Sequence, residues 1–264
     1  MRQDFILVDN YRIRILEDGI GNDKHILLLH GIGAAAERWA RLMPLLAGRY
    51  HLIAPDIIGF GYSDKPNVDY TIQFFLEFID RLVSTLRLDN LYLIGSSFGG
   101  QLAAEYTMSK GDVDALVLVT PSGLSKEPTE AFTQYIMASL YPSIESAKKA
   151  FSLMYCGKHV DDVYTRDFVN RMLLPNAKYV FISTLMNMQK HSDMKDRLHM
   201  IDVPTLIVWS EKDLLIPVEH AYILHEKIKG SRLVIMNGCG HTPYYEKPEE
   251  FADIIDKFFT SVES

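Results

Sequence analysis

Five short stretches of this chain are apolar almost without interruption: residues 26–29, 52–54, 91–94, 115–119 and 205–209. A strand with one wet face alternates apolar and polar side chains, so runs of this kind describe strands covered on both faces. The cover has to come from the segments between them. Residues 71–86 place Ile72, Phe75, Ile79, Leu82 and Leu86 along one helical stripe, residues 38–47 carry mixed polarity at helical spacing, and residues 98–109 read as a further helix. Strands alternating with helices predict an α/β fold built on a mostly parallel sheet. Two β-branched runs at 5–8 and 11–16, separated by Asp9-Asn10, predict an antiparallel hairpin at its start.

The alternation stops after Thr120-Pro121-Ser122-Gly123. From about residue 129 to 198 only helical patterns occur, broken near Pro142, Gly157 and Pro175. Residues 125–198 are therefore expected to form a helical cap inserted into a core made of residues 1–124 and 199–264. A helix at 219–228, a strand at 232–236 and a helix at 249–259 complete that core. A chain of 264 residues with 48% hydrophobic content can bury one substantial core with such an insertion.

Charge and cysteine usage exclude several classes. Lys and Arg total 27 against 34 Asp and Glu, and no block of like charge suits a phosphate backbone, so nucleic acid is not expected as a partner. The two cysteines, Cys156 and Cys239, lack the paired spacing of a zinc or CxxC site and read as reduced thiols. The apolar run at 5–8 is too short for a signal peptide, and no run approaches the roughly 20 residues of a membrane helix. The expectation is a cytoplasmic protein that acts on a small molecule without a metal or organic cofactor, since dinucleotide-binding and Walker loops are also missing from the sequence.

The segment Gly95-Ser96-Ser97-Phe98-Gly99 follows a predicted buried strand and opens a predicted helix. GxSxG in that setting is a nucleophile elbow: the chain reverses sharply at the serine, and small residues on either side permit the turn. Ser97 would project its hydroxyl beyond the sheet, with the Phe98 backbone N–H and the helix N-terminus directed at an oxyanion forming beside it. Gly238-Cys239-Gly240-His241 lies between the last strand and the last helix, where a glycine-rich loop can bring an imidazole to the serine. Imidazole suits a group that must act first as base and then as acid. Ser210-Glu211-Lys212-Asp213 supplies two carboxylates after the strand at 205–209.

In these segments the chain resembles the α/β-hydrolase family, and the resemblance extends over nearly its whole length. It implies an eight-stranded, mostly parallel sheet with an inserted cap, and a triad of Ser97, His241 and Asp213 in the family's chain order. Within the acid segment it selects Asp213 over Glu211, because Asp213 precedes Leu214-Leu215-Ile216-Pro217 in a pattern similar to WGxxDxxxP, with Ser210 replacing the usual glycine. His30-Gly31-Ile32-Gly33 resembles the HGxG loop, which implies Ile32 N–H as a second oxyanion donor beside Phe98 and a buttressing role for His30. Asp56-Ile57-Ile58-Gly59-Phe60-Gly61-Tyr62-Ser63 resembles a DxxGxGxS turn that is structural in the family. The implied activity is hydrolysis of a small or medium, apolar carboxylic ester. The chain also resembles meta-cleavage product hydrolases, which break a carbon–carbon bond of a vinylogous diketone and hold its carboxylate with a cap arginine. Arg171 lies near that position, while Thr242 stands where those enzymes have tryptophan. A ligand-binding receptor on the same fold is the reading from a different class. Met137 and Met172 join Arg171 as expected substrate-binding residues from the apolar supply of the cap.

Overall fold

The computed structural model describes all residues except 111, 126, 157–160, 191–193 and 264. The chain begins with the hairpin β1 (Arg2–Val8) and β2 (Tyr11–Asp18), which pair antiparallel with Val8 opposite Tyr11. Asp9 turns between them at φ 52°. β3 (His25–Leu29) leads to a 3-10 turn at Ala36–Trp39 and the short helix α1 (Met43–Leu46). One continuous helix over 38–47 was expected. Pro44 accounts for the difference: it offers no N–H and its ring crowds the preceding turn, so a helix starts around it and cannot run through it.

β4 (His51–Pro55), α2 (Ile72–Leu86), β5 (Leu91–Ser96), α3 (Phe98–Lys110) and β6 (Ala115–Val119) follow. The Thr71 side chain caps α2 by accepting the Phe74 N–H at 3.1 Å. Among the described residues four α-helices then lie between β6 and the next strand: α4 (Glu130–Leu140), α5 (Ile144–Met154), α6 (Asp162–Met172) and α7 (Ala177–Lys190). α4 ends before Pro142, and a Ser143–Ser146 capping box starts α5. α7 starts after Pro175 and Asn176, the latter at φ 64°. The expected break at Gly157 lies outside the described residues. β7 (Thr205–Ser210), α8 (Glu219–Lys227), β8 (Arg232–Met236), α9 (Pro243–Glu246) and α10 (Pro248–Val262) complete the chain.

The eight strands form one sheet in the order β1-β2-β4-β3-β5-β6-β7-β8, parallel from β4 to β8. Alternating side chains feed two cores. Leu27, Leu29 and Leu93 enter one face with α2 and α3, while Ile26, Leu28 and Ile94 enter the other with Trp39, Phe251 and Phe259. This two-sided burial is why the strands read as unbroken apolar runs. After β3 the chain crosses to β4 on one side, and β5 then returns to the other side of β3. Loops leaving the carboxyl ends of β3 and β5 therefore diverge and open a crevice, the position where open α/β sheets place their ligands. Among the described residues no helix is long and apolar enough to cross a membrane.

Candidate active site

Ser97 sits between β5 and α3 at φ 55°, the left-handed region that costs a non-glycine residue of order 1 kcal/mol. The flanking glycines permit the turn. A Cβ on Gly95 would lie 2.2 Å from the Gly99 carbonyl oxygen, and one on Gly99 would lie 2.2 Å from the Leu29 oxygen. The Ser97 N–H donates to the Val119 carbonyl at 3.0 Å. Ser97 is half-buried while its neighbours in the elbow are buried.

His241 and Asp213 are buried at 3% and 8% exposure and joined by a 2.7 Å hydrogen bond from Nδ1 to Oδ2. The other carboxylate oxygen accepts the N–H groups of Leu215 and Ile216 at 2.8 and 3.0 Å. With Oδ1 occupied by two backbone donors, Oδ2 is the oxygen turned to the imidazole, and an Nδ1–H donating to it would leave Nε2 as the acceptor. The histidine loop is tied down from three directions. Its N–H donates to the Met154 carbonyl at 2.8 Å, its carbonyl accepts the Thr120 hydroxyl at 3.1 Å, and Glu246 accepts the Gly240 N–H at 2.9 Å. Glu211 is exposed.

Two backbone N–H groups, those of Phe98 and Ile32, are oriented by the carbonyls of their own peptide units. The Ser97 carbonyl accepts from Gln101 and Ser122 N–H, both at 3.0 Å, and the Gly31 carbonyl accepts His30 Nδ1–H at 2.8 Å and Ala34 N–H at 3.1 Å. In a planar trans peptide the N–H points opposite to the C=O. Each carbonyl held in place thus aims an N–H the other way. The Tyr135 hydroxyl further holds the loop through the Ile32 carbonyl at 2.7 Å. The parts played here by Gln101, Ser122 and Tyr135 had no counterpart in the sequence reading, because they depend on contacts across long separations or on backbone groups.

His30 is fully buried and also accepts the Ile57 N–H on Nε2 at 3.0 Å. Both ring nitrogens are thereby used in the neutral form, and burial pushes the imidazole down to about 4. Unfolded, the ring would take up a proton below about 6.5, so its stabilising contribution is complete above that pH and drains away as the pH falls toward 4. Urea titrations should show wild type losing roughly 3 kcal/mol more stability than His30→Asn between pH 7 and pH 4. Parallel curves for the two proteins would remove His30 from the account. Asp56, in the DxxGxGxS-like turn, spends its oxygens on Ala36 N–H, Tyr62 N–H and Arg14 Nη1 at 2.7, 2.8 and 3.1 Å.

Ser97 and His241 both border a cavity of ≈ 180 Å³ whose apolar walls include Phe132, Ile136, Leu185, Met188 and Ile216. They also border a smaller one of ≈ 30 Å³ on the side of Gly31, Ile32 and Thr242. The residues expected to bind substrate lie elsewhere. Met137 is exposed, Met172 is packed in the core, and Arg171 is buried with Nε on Asp167 at 2.7 Å and Nη1 on the Gly33 carbonyl at 3.1 Å; none of the three borders either cavity. Phe132 and Ile136 instead share a face of α4, and Leu185 and Met188 a face of α7. Met137 is one position, and about 100°, further around α4 than Ile136.

Among the described residues no group of three His, Cys, Asp or Glu is placed to hold a metal ion. Residues 24–248 match the family described as alpha/beta hydrolase fold. The chain is 27% identical to a 2-hydroxy-6-oxo-6-(2'-aminophenyl)hexa-2,4-dienoic acid hydrolase of Metapseudomonas resinovorans, over 97% of this chain and 90% of that one. It is 28% identical to the monoacylglycerol lipase ABHD6 of Mus musculus, over 92% of this chain and 77% of the lipase. The crystal structure of a bacterial membrane phospholipase A, described as a virulence factor, superposes with a TM-score of 0.89 at 27% identity, covering 100% of this chain and 87% of the phospholipase.

Proposed function

Given that the chain belongs to the α/β-hydrolase fold family, we propose that it is a serine hydrolase that cleaves a small or medium carboxylic ester through an acyl-enzyme. The observation that carries this reading is the buried Asp213–His241 pair meeting the strained Ser97 elbow around one apolar cavity. His241 Nε2 takes the Ser97 proton as Oγ attacks the ester carbonyl. The Phe98 and Ile32 N–H groups receive the oxyanion, and Asp213 holds the imidazolium that forms. Collapse of the tetrahedral species expels the alcohol, which takes the proton from His241. Water then repeats the sequence on the acyl-enzyme and releases the acid. Residues 125–198 act as the cap, with α4 and α7 supplying walls of the apolar cavity. A dry cavity of about 150 Å³ holds benzene, so ≈ 180 Å³ suits an apolar arm of about that size.

The relatives act on both esters and dienoic acids by their names. The carbon–carbon reading named Arg171 as the cation for a substrate carboxylate, and the bonds of Arg171 to Asp167 and Gly33 argue against that role for this residue. p-Nitrophenyl butyrate should be turned over many times per enzyme molecule, with kcat in the ordinary range of about 1–10³ s⁻¹, and faster than a 2-hydroxy-6-keto dienoate. Release of a single equivalent of nitrophenol without further turnover would mean a receptor, and faster cleavage of the dienoate would mean the carbon–carbon hydrolase.

A further inference from the structure

Three arginines are buried among the described residues, and two of them face carboxylates. Arg14 pairs with Asp56 and Glu37, and Arg171 pairs with Asp167. Arg38, only 3% exposed, has no carboxylate within ion-pair distance among the described residues. Its hydrogen-bond partners are the Tyr155 hydroxyl and the Met154 sulfur, the latter at 2.6 Å from Nη2. Burial pushes the Tyr155 phenol up, so that group is neutral and supplies no counter-charge. Aromatic faces offset part of the deficit, with the guanidinium carbon 4.7 Å from the Tyr164 ring centroid and 5.4 Å from those of Tyr155 and Tyr245. A desolvated cation still calls for an anion in hydrogen-bonding reach.

The place open to such an anion is the ≈ 30 Å³ cavity, which Arg38 lines together with Ser97, His241 and Thr242. Thr242 borders the same cavity and is 2% exposed, and among the described residues its hydroxyl has no hydrogen-bond partner, which makes it a second buried polar group beside that space. One water-sized sphere needs about 10–15 Å³. The cavity therefore admits about two to three oxygen-sized atoms, room for the two oxygens of a carboxylate.

We propose that Arg38 and Thr242 form a carboxylate subsite, so that the preferred ester carries a short carboxylate-bearing arm on the side of the scissile carbonyl opposite its apolar arm. The inference rests on the hydrolytic reading above. The apolar arm fills the larger cavity, the carboxylate receives the guanidinium and the Thr242 hydroxyl, and the reacting carbon lies between them at Ser97. Charge-assisted hydrogen bonds of this kind correspond to roughly 10- to 100-fold in discrimination.

The test uses two matched pairs of single esters of equal size: O-hexanoylglycolate against O-hexanoylglycolamide, and hexyl hydrogen malonate against hexyl malonamate. They place the charge on the alcohol and the acyl arm respectively. In at least one pair the carboxylate should be preferred by about 10-fold or more in kcat/KM. Arg38→Gln should erase that preference, and the isosteric Thr242→Val should reduce it several-fold. A wild-type preference below about threefold in both pairs overturns the subsite, as does a preference that survives Arg38→Gln. If Arg38→Gln does not fold, the wild-type ratios and Thr242→Val decide. An Arg38 that only anchors Met154 and Tyr155 would change all four esters together and leave the ratios alone. Failure of wild type to turn over any of the four, or p-nitrophenyl butyrate, refutes the hydrolytic reading itself.

Discussion

Ser97→Ala is expected to lower kcat for p-nitrophenyl butyrate by about 10⁴- to 10⁶-fold, the range found when the nucleophile of such a catalytic unit is removed. The fold should persist, because alanine keeps the Cβ and removes only the hydroxyl from a half-buried position. Stability adds an independent readout. Ser97 holds φ 55°, where a side chain costs of order 1 kcal/mol that glycine does not bear. Ser97→Gly should therefore be as inactive as Ser97→Ala, yet closer to wild type or above it in thermal stability. Turnover by Ser97→Ala within about tenfold of wild type would remove the nucleophile assignment.

Asp213→Asn should cost about 10⁴-fold in kcat. The reason lies in the hydrogen bonds around the carboxylate. Oδ1 accepts two backbone N–H groups, so an asparagine would keep its carbonyl oxygen there and turn its amide nitrogen toward His241. The amide donates to Nδ1, which moves the ring proton to Nε2 and blocks acceptance of the serine proton. Glu211→Gln, at an exposed position, should stay within about twofold of wild type, the scale of an ordinary surface change. Steady-state kinetics on the two variants check the ranking, and the opposite order would transfer the acid role to Glu211.

Much of the architecture could be read from local patterns. Runs such as 26–29 and 115–119 were legible as buried strands because two covered faces leave no polar alternation, and both match the observed β3 and β6 to within a residue. The elbow was legible because the glycine positions follow from backbone approach that no side chain can relieve. The 38–47 segment misled because its spacing suited a helix while Pro44 divided it.

The chain order of residue types alone thus determined the sheet class, the elbow and the three segments that carry Ser97, Asp213 and His241. Tertiary structure alone decided which groups meet there. The partners of His30 and Arg38 come from loops and helices distant in sequence, and Arg38 in particular reads locally as a polar position in a helical segment. The walls of the apolar cavity were decided the same way: Ile136 and Met137 are neighbours of similar hydrophobicity, and only the packing of α4 against its surroundings turned one inward and the other to solvent. A helix repeats every 3.6 residues, so sequence can name the candidates for a wall but the face that is buried depends on where the next element lies.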